Sequence, residues 1–206
     1  DIYKDIYDLP EFTYKEKVNF DFFRLCKENY NFIVISIYNE RHEFLLTRDL
    51  NKNIGWELVG GYIEKNENIG NAVNRVVLKE TGLIIDELQP IAVINNNFEF
   101  NNKIINHRGI AFVALSRKRA KPQPENIKIV YMIDTPETMI YQNKKIFQLA
   151  KEIVADKSFE PPYHEIDSVK KFYPFYLINK YFVKAIGQIA SKKIKDRIID
   201  LIYNNP

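Results

Sequence analysis

The segment over residues 55–83 constrains the fold of this chain more than any other, because it joins two adjacent glycines to a strongly patterned helix. Apolar residues of the helix recur at spacings of three and four, which places them on one face. These residues are Ile69, Ala72, Val73, Val76 and Val77. Gly82 supplies a C-terminal stop. The segment therefore predicts an amphipathic helix over residues 69–80 after a turn at Gly60 and Gly61.

Runs of β-branched and aromatic residues predict strands around this helix. The expected strands cover residues 32–38, 43–48, 56–59, 90–100, 107–116 and 127–133, with turns at residues 39–41 and at Asn101 and Asn102. A second helix is expected to begin at residues 134–137, because Asp134 is a capping residue and Pro136 follows it closely. This order predicts a mixed α/β sandwich in which helices cover a sheet.

The composition is that of a compact globular protein, since 46% of the 206 residues are hydrophobic and 14% are aromatic. We expect an N-terminal lead-in over residues 1–30, a main domain over residues 31–156 and an aromatic, basic helical extension over residues 157–206. The chain lacks a run of about 20 apolar residues. The single Cys26 fits a reducing compartment, so the sequence predicts a cytoplasmic protein.

One side of the predicted helix has the spacing of a cation site. Positions 76, 79 and 80 project from the same side, where three carboxylates would share one ion. Mg²⁺ prefers oxygen ligands and is usually bound by one or two carboxylates together with substrate phosphates. This chain has Val76 and Lys79 at two of the positions and a carboxylate only at Glu80. A magnesium site on the helix is therefore incomplete.

The same segment resembles the Nudix box of the MutT-like hydrolases. That pattern is a glycine, five residues, a glutamate, seven residues, and then Arg-Glu-apolar-any-Glu-Glu-any-Gly-apolar. The matching residues are Gly61, Glu67, Arg75, Glu80, Gly82 and Leu83. The resemblance covers about residues 31–154 and implies a Nudix-type α/β/α sandwich. It also implies hydrolysis of a nucleoside diphosphate linked to another group, with Mg²⁺ or Mn²⁺ held by the box glutamates.

Two departures from the box leave two functional interpretations open. Val76 and Lys79 stand where the family has glutamates, so one ligand is removed and another is replaced by a positive charge. A unit charge pair at about 4 Å interacts with about 4 kcal/mol at an effective dielectric constant near 20. Either the domain has lost standard catalysis and binds a nucleotide-derived small molecule, or it is a hydrolase with a rewired Mg or Mn site.

The resemblance assigns roles to individual residues. The candidate catalytic residues are Glu80, Glu67 and Arg75, the candidate metal ligands are Glu80, the carbonyl of Gly60 and Glu64, and the candidate substrate-binding residues are Trp56, Gly60 and Gly61. An ion pair between Glu67 and Arg75 that ties the loop to the helix is the favoured alternative for those two residues. Core packing is the favoured alternative for Trp56. A later acid such as Glu99 or Glu125 would complete a rewired site.

Other partners are weakly indicated. The basic run over residues 117–121 has no nucleic-acid-binding motif, so nucleic acid is not expected as a ligand. The extension over residues 157–206 interleaves aromatic residues with lysines, which would suit a helix that lies on a membrane or docks on a partner. Packing on the core or across a homodimer interface is the favoured alternative. His107 is expected at the surface, at the start of a strand.

Overall fold

The computed structural model describes residues 9–28, 31–52, 55–85, 87–121, 125–156 and 164–165. The strands are β1 (Glu11–Lys17), β2 (Asn31–Tyr38), β3 (Phe44–Asp49), β4 (Val59–Tyr62), β5 (Glu87–Phe100), β6 (Lys103–Leu115), β7 (Ile127–Met132) and β8 (His164–Glu165). The helices are α1 (Phe20–Glu28), α2 (Ile69–Thr81) and α3 (Tyr141–Ala155). The strands form one mixed sheet.

The order of the strands brings two loops to the same end of the sheet. The order is β1-β5-β6-β2-β3-β7, with β4 paired to β2 and β8 paired to β5. Strand β2 runs parallel to β6, and its last residue, Tyr38, lies opposite Leu115 at the end of β6. The segments that leave these two strands therefore begin side by side.

Helices cover both faces of the sheet. The side chains of each strand alternate between the faces, so each face carries apolar residues that a helix can bury. One apolar cluster joins α2 to the sheet and includes Ile33, Val76 and Phe112. The other joins α3 to the opposite face and includes Phe44 and Phe147. The predicted mixed α/β/α sandwich is confirmed.

Helix α2 begins and ends as the sequence predicts. The side chain of Asn68 accepts a hydrogen bond from the backbone N–H of Asn71 at 2.8 Å and caps the first turn. Gly82 has a φ of 67° and donates its N–H to the carbonyl of Leu78 at 3.0 Å. Because this left-handed conformation favours glycine, the helix stops at Thr81.

Both predicted turns, at residues 39–41 and at residues 101–102, join antiparallel strands into hairpins. Strands β2 and β3 form the first, and β5 and β6 form the second. Asn101 and Asn102 form the turn of the second hairpin with φ values of 47° and 60°. Asparagine tolerates this left-handed conformation better than most residues, which makes it a common turn residue.

The predicted starts of a strand and a helix were wrong, and one contact explains both. Trp56 donates its N–H to the carbonyl of Thr138 at 3.0 Å, and Ile140 donates its N–H to the carbonyl of Trp56 at 3.1 Å. The pairing makes Met139 a bridge residue beside Trp56, so α3 begins at Tyr141 rather than at residues 134–137. Trp56 forms an isolated bridge, and β4 lies later, over Val59–Tyr62.

Residues 9–28 contribute a strand and a helix that the sequence did not predict. Strand β1 pairs in parallel with β5 along its whole length, and the ring of Phe22 in α1 lies 5.0 Å from that of Phe98. His107 is buried, with Nε2 at 2.8 Å from the carbonyl oxygen of Cys26 in α1. Its predicted surface position was therefore wrong, because α1 covers it.

The helical extension predicted over residues 157–206 lies outside the described residues, apart from β8. Its helices, its packing and its proposed docking role stay predictions, as do the three domain boundaries. In the part of the chain that the structure describes, the helices are too short or too polar to cross a membrane.

Candidate functional site

Strand β4 brings Gly60 and Gly61 into contact with β2 and α2. The turn predicted at these two glycines was wrong, because both pair with residues of β2 inside the sheet. A Cβ atom at Gly60 would lie 2.8 Å from the carbonyl oxygen of Ile33, and one at Gly61 would lie 2.9 Å from Cγ2 of Val76. Both positions need glycine because of this close approach. Val76 is only 4% exposed and belongs to the core beneath α2. Position 76 therefore contributes packing rather than a ligand.

The contact between Gly61 and Val76 predicts coupled effects on stability. Gly61→Ala is expected to cost about 1 to 3 kcal/mol, because the added methyl group overlaps the Val76 side chain. Val76→Ala is expected to cost about 2 kcal/mol through the cavity that it leaves. The double variant should lose about 1 kcal/mol less unfolding free energy than the two single variants lose in sum. The shorter side chain at position 76 leaves room for the methyl group added at position 61. Strictly additive costs in urea unfolding would contradict the contact.

Glu67 and Arg75 form the expected ion pair between the loop and helix α2. Arg75 donates from Nε and from Nη2 to the two carboxylate oxygens of Glu67, both at 2.7 Å. Nη2 also donates to the carbonyl of Tyr62 at 2.8 Å. The hydrogen bonds from Arg75 hold the pKa of the Glu67 carboxyl below its ordinary value. Arg75 thus connects the end of β4, the loop and the helix.

Glu64 belongs to the same network. Its Oε1 lies 3.5 Å from Nε of Arg75, and its backbone N–H donates to Glu67 at 2.9 Å. The side chain is otherwise largely exposed. The side chain of Glu64 faces Arg75, and no contact between Glu64 and Glu80 occurs among the described residues. The metal-ligand role of Glu64 therefore stays a prediction.

Glu80 lies in the last turn of α2 beside Thr47 of β3. Its Oε2 is 3.5 Å from the Thr47 hydroxyl. Burial raises the pKa of the Glu80 carboxyl to about 7, with a further contribution from the negative charge of Glu57. Lys52 and Lys79 act in the opposite direction with smaller effects. Glu80 is therefore a partly desolvated carboxyl that titrates near neutral pH.

Glu57 is the functional candidate that the sequence reasoning missed. It exchanges two backbone hydrogen bonds with Thr47, both 2.9 Å long, and this places it near Glu80. Burial also raises the pKa of Glu57. The negative charge of Glu57 is the second cause, after burial, of the raised pKa of Glu80. Thr47 contacts both residues, and Glu57 and Glu80 are called the acid pair below.

The later acids named as alternatives lie elsewhere. Glu99 is near the end of β5, where it pairs with Lys17 of β1. Glu125 is exposed just before β7. The charged groups that act on Glu80 are Glu57, Lys52 and Lys79. Among the described residues, Glu57 is therefore the acid that accompanies Glu80.

Trp56 is half-buried and packs against the apolar cluster beneath α3. This contact agrees with the packing role that the sequence favoured for it. Its backbone also pairs with residues 138–140, as described above. The substrate-binding roles of Trp56, Gly60 and Gly61 stay predictions.

The residues at the end of α2 do not fit the three-carboxylate metal cluster that the resemblance implies. In the described ranges, no group of three His, Cys, Asp or Glu side chains is close enough to hold a metal ion. Val76 is buried hydrocarbon, and Lys79 is an exposed cation. Glu57 and Glu80 provide two carboxyls, a set that Mg²⁺ usually completes with substrate phosphates and water.

The comparison with protein families decides the assignment. The model of the NUDIX domain family matches residues 27–170, which is most of the chain. This chain belongs to the Nudix family. Its Nudix domain keeps the close approach of Gly61 to helix α2, the Glu67–Arg75 ion pair and the Gly82 cap of the box. A comparison with curated protein sequences gives no match.

Several solved structures are similar to this Nudix domain. The NUDIX domain of Shewanella oneidensis NrtR, complexed with ADP ribose, is 13% identical, covers 61% of this chain and 88% of its own, and gives a TM-score of 0.49. The MutT protein of Methanosarcina mazei Go1 is 22% identical, covers 70% of this chain and 96% of its own, and gives a TM-score of 0.44. A MutT protein of Bacillus halodurans is 18% identical, covers 57% of this chain and 79% of its own, and gives a TM-score of 0.48. The family assignment itself rests on the match over residues 27–170.

Proposed function

We propose that this Nudix domain has lost standard metal-dependent hydrolysis and binds a nucleotide-derived small molecule. The observation that supports the proposal best is the position of Val76, which is buried against Gly61 where the box has a metal-binding glutamate. Lys79 adds a positive charge at the second replaced position. Hydrolysis through the usual glutamate cluster would therefore lack two of its three helix carboxylates.

The acid pair supports the same proposal. With a pKa of about 7, Glu80 is protonated in about half of the molecules at neutral pH. A cation that used this carboxyl would have to displace a proton, which lowers metal affinity as the pH falls. At neutral pH the two remaining carboxyls would therefore bind a metal ion in competition with the proton on Glu80.

The parts of the box that shape the loop support retention of a ligand site. The bidentate contact of Arg75 with Glu67 and the bond to Tyr62 hold the loop between β4 and α2. None of these contacts requires a metal ion. A ligand could therefore be bound by a preformed surface while hydrolysis is lost.

The proposal predicts that two substitutions restore chemistry. We expect the native chain to show no metal-dependent hydrolysis of ADP-ribose, nucleotide sugars, dinucleotides or nucleoside triphosphates with Mg²⁺ or Mn²⁺. The variant Val76→Glu with Lys79→Glu should hydrolyse at least one of these compounds about 100-fold faster than the background rate measured with the native chain. This factor is the usual scale of a restored general base. Products are separated by chromatography, and Val76→Gln with Lys79→Gln is the matched control of similar size without charge.

Robust turnover by the native chain, abolished by Glu80→Gln, would overturn the proposal. It would favour the second candidate, a hydrolase with a rewired Mg or Mn site. The proximity of Glu57 to Glu80 is the observation in its favour. In that case Glu57→Gln should remove activity as completely as Glu80→Gln, whereas Glu125→Gln should leave it unchanged.

A further inference from the structure

Strand β1 forms one edge of the sheet. It comes first in the strand order β1-β5-β6-β2-β3-β7, and among the described residues it pairs with β5 alone. The strand is regular along its whole length, because Glu11–Lys17 pairs without a break with residues 93–99. The outer side of a regular edge strand is a template for pairing with another chain. The outer side of β1 is therefore a candidate interaction surface.

The hydrogen bonds to β5 show which backbone groups of β1 point away from the sheet. Val93 donates its N–H to the carbonyl of Pro10, and Val18 donates its N–H to the carbonyl of Glu99, both at 3.0 Å. In a parallel ladder, alternate residues of a strand direct both backbone groups toward the same neighbour. The even-numbered residues of β1 therefore bond to β5, and the odd-numbered residues direct their N–H and C=O groups outward. These residues include Thr13, Lys15 and Lys17.

The side chains of β1 give its two faces different charge patterns. The odd-numbered side chains share one face, with Glu11 at one end and Lys17 at the other. The even-numbered side chains share the face that α3 covers. There, Nζ of Lys145 in α3 lies 6.0 Å from the ring centre of Phe12 and 5.9 Å from that of Tyr14. A partner strand would therefore meet a specific arrangement of charges on each face.

A second copy of β1, in antiparallel orientation, matches this arrangement. When Tyr14 lies opposite Tyr14 of the second copy, all seven residues of each strand have a partner, and the outward backbone groups face each other. Glu11 of each copy then lies opposite Lys17 of the other copy, once on each side of the twofold axis. Opposite charges in directly opposed positions stabilise a strand pair.

Other registers are less favourable. A shift of one residue places outward backbone groups opposite inward ones, so the ladder does not form. A shift of two residues in one direction places Lys15 opposite Lys15, and like charges in opposed positions destabilise a pair. The same shift in the other direction leaves only residues 11–15 of β1 paired with each other. Charged edge strands usually resist pairing, whereas these charges select one register.

We propose that two copies of this chain form a dimer through antiparallel pairing of β1 about Tyr14, which joins their sheets into one. On the α3 face, Glu16 of one copy lies opposite Phe12 of the other copy, beside Lys145. Tyr141 adds apolar surface next to the axis, since its ring lies 6.2 Å from that of Tyr14 and the residue is 67% exposed. The dimer is independent of the proposed ligand binding.

Sedimentation velocity of the full chain tests the proposal. The native chain is expected to shift from monomer to dimer as its concentration rises to about 300 μM, as suits a small interface. Thr13→Pro removes an outward N–H and leaves the ladder to β5 intact, so it should weaken the dimer about tenfold or more. Lys128→Glu lies on β7 at the opposite edge and should change the dissociation constant less than about twofold, because surface charge far from the pairing contributes little.

A mixture of two charge variants tests the register. In a dimer of Lys17→Glu chains, Glu11 faces a glutamate, and in a dimer of Glu11→Lys chains, Lys17 faces a lysine. Each variant by itself should therefore dimerise about tenfold more weakly than the native chain or worse. An equimolar mixture opposes glutamate to lysine at both ends and should regain most of the native affinity. Because Glu11→Lys also removes a contact with Arg108, circular dichroism checks that each variant is folded.

Several outcomes would overturn the dimer. A native chain that stays monomeric over the whole concentration range would do so. A dimer that Lys128→Glu weakens, while Thr13→Pro and Lys17→Glu leave it unchanged, would place the interface on β7 instead. If the mixture dimerises no better than either charge variant, the pairing about Tyr14 is wrong. Should Thr13→Pro fail to fold, Lys17→Glu and the mixture still decide the question.

Discussion

Glu80→Gln is expected to raise the free energy of unfolding by about 2 to 3 kcal/mol at pH 8 and to change it little at pH 4. Each unit of pKa difference between the folded and unfolded chain corresponds to about 1.4 kcal/mol. The pKa of Glu80 is raised by burial and by Glu57 to about 7, above the ordinary 4.5. The folded state therefore binds the proton more tightly than the unfolded state.

The direction of the pH dependence of stability follows from the difference between the folded and unfolded pKa of Glu80. Between about pH 4.5 and pH 7 the unfolded chain loses the proton while folded Glu80 keeps it, so the native protein loses stability as the pH rises. Glutamine has no charge to bury and removes this loss. Urea unfolding across the pH range checks it, with Glu87→Gln, at an exposed position of β5, as the control. A pH-independent difference would contradict the buried carboxyl.

Arg75→Met is expected to lower the free energy of unfolding by about 2 to 3 kcal/mol at pH 7. Removing one partner of a buried pair costs about 3 to 5 kcal/mol, and partial exposure reduces that figure here. Glu67 is only 12% exposed and would keep its charge without the two hydrogen bonds from Arg75. The carbonyl of Tyr62 would lose a donor as well.

The pH dependence of the stability loss in Arg75→Met identifies the ion pair with Glu67 as its cause. Arg75 lowers the pKa of Glu67, so its stabilising effect exists above the ordinary carboxyl pKa and is lost as the pH falls through the lowered value. The cost of Arg75→Met should therefore shrink in acid. Adding Glu67→Gln should recover part of the loss at pH 7, because no buried charge remains. An Arg75→Met variant within 0.5 kcal/mol of the native chain would show that the pair contributes little.

Local signals in the sequence predicted the elements whose ends are determined by their own residues. Helix α2 has its apolar face, its stop at Gly82 and its cap within one segment. Strand β1 gave no comparable signal, because Tyr14 is its only buried residue and charged side chains fill most other positions. The capping signal at residues 134–137 was overridden by the distant pairing of Trp56 with residues 138–140.

The same distinction holds at the candidate site. Glu67 and Arg75 are eight residues apart on a loop and the helix that follows it, so the ion pair that was favoured for them lies within one local segment. Glu57 approaches Glu80 because Thr47 pairs with Glu57, and this register between segments is not written in either one. The replacement of carboxylates by Val76 and Lys79 could be read from the sequence, but the burial of Val76 against Gly61 needed coordinates.

Strand β1 also bears on where this domain can be cut. The family match begins at residue 27, whereas β1 pairs with β5 over Glu11–Lys17. A chain trimmed to the family match would leave one side of β5 with unpaired backbone groups beside the aromatic rings of Phe98 and Phe100, which α1 contacts. Exposed strand edges of this kind pair with other molecules and promote aggregation. Truncated versions should therefore keep residues 9–26, although they precede the family match.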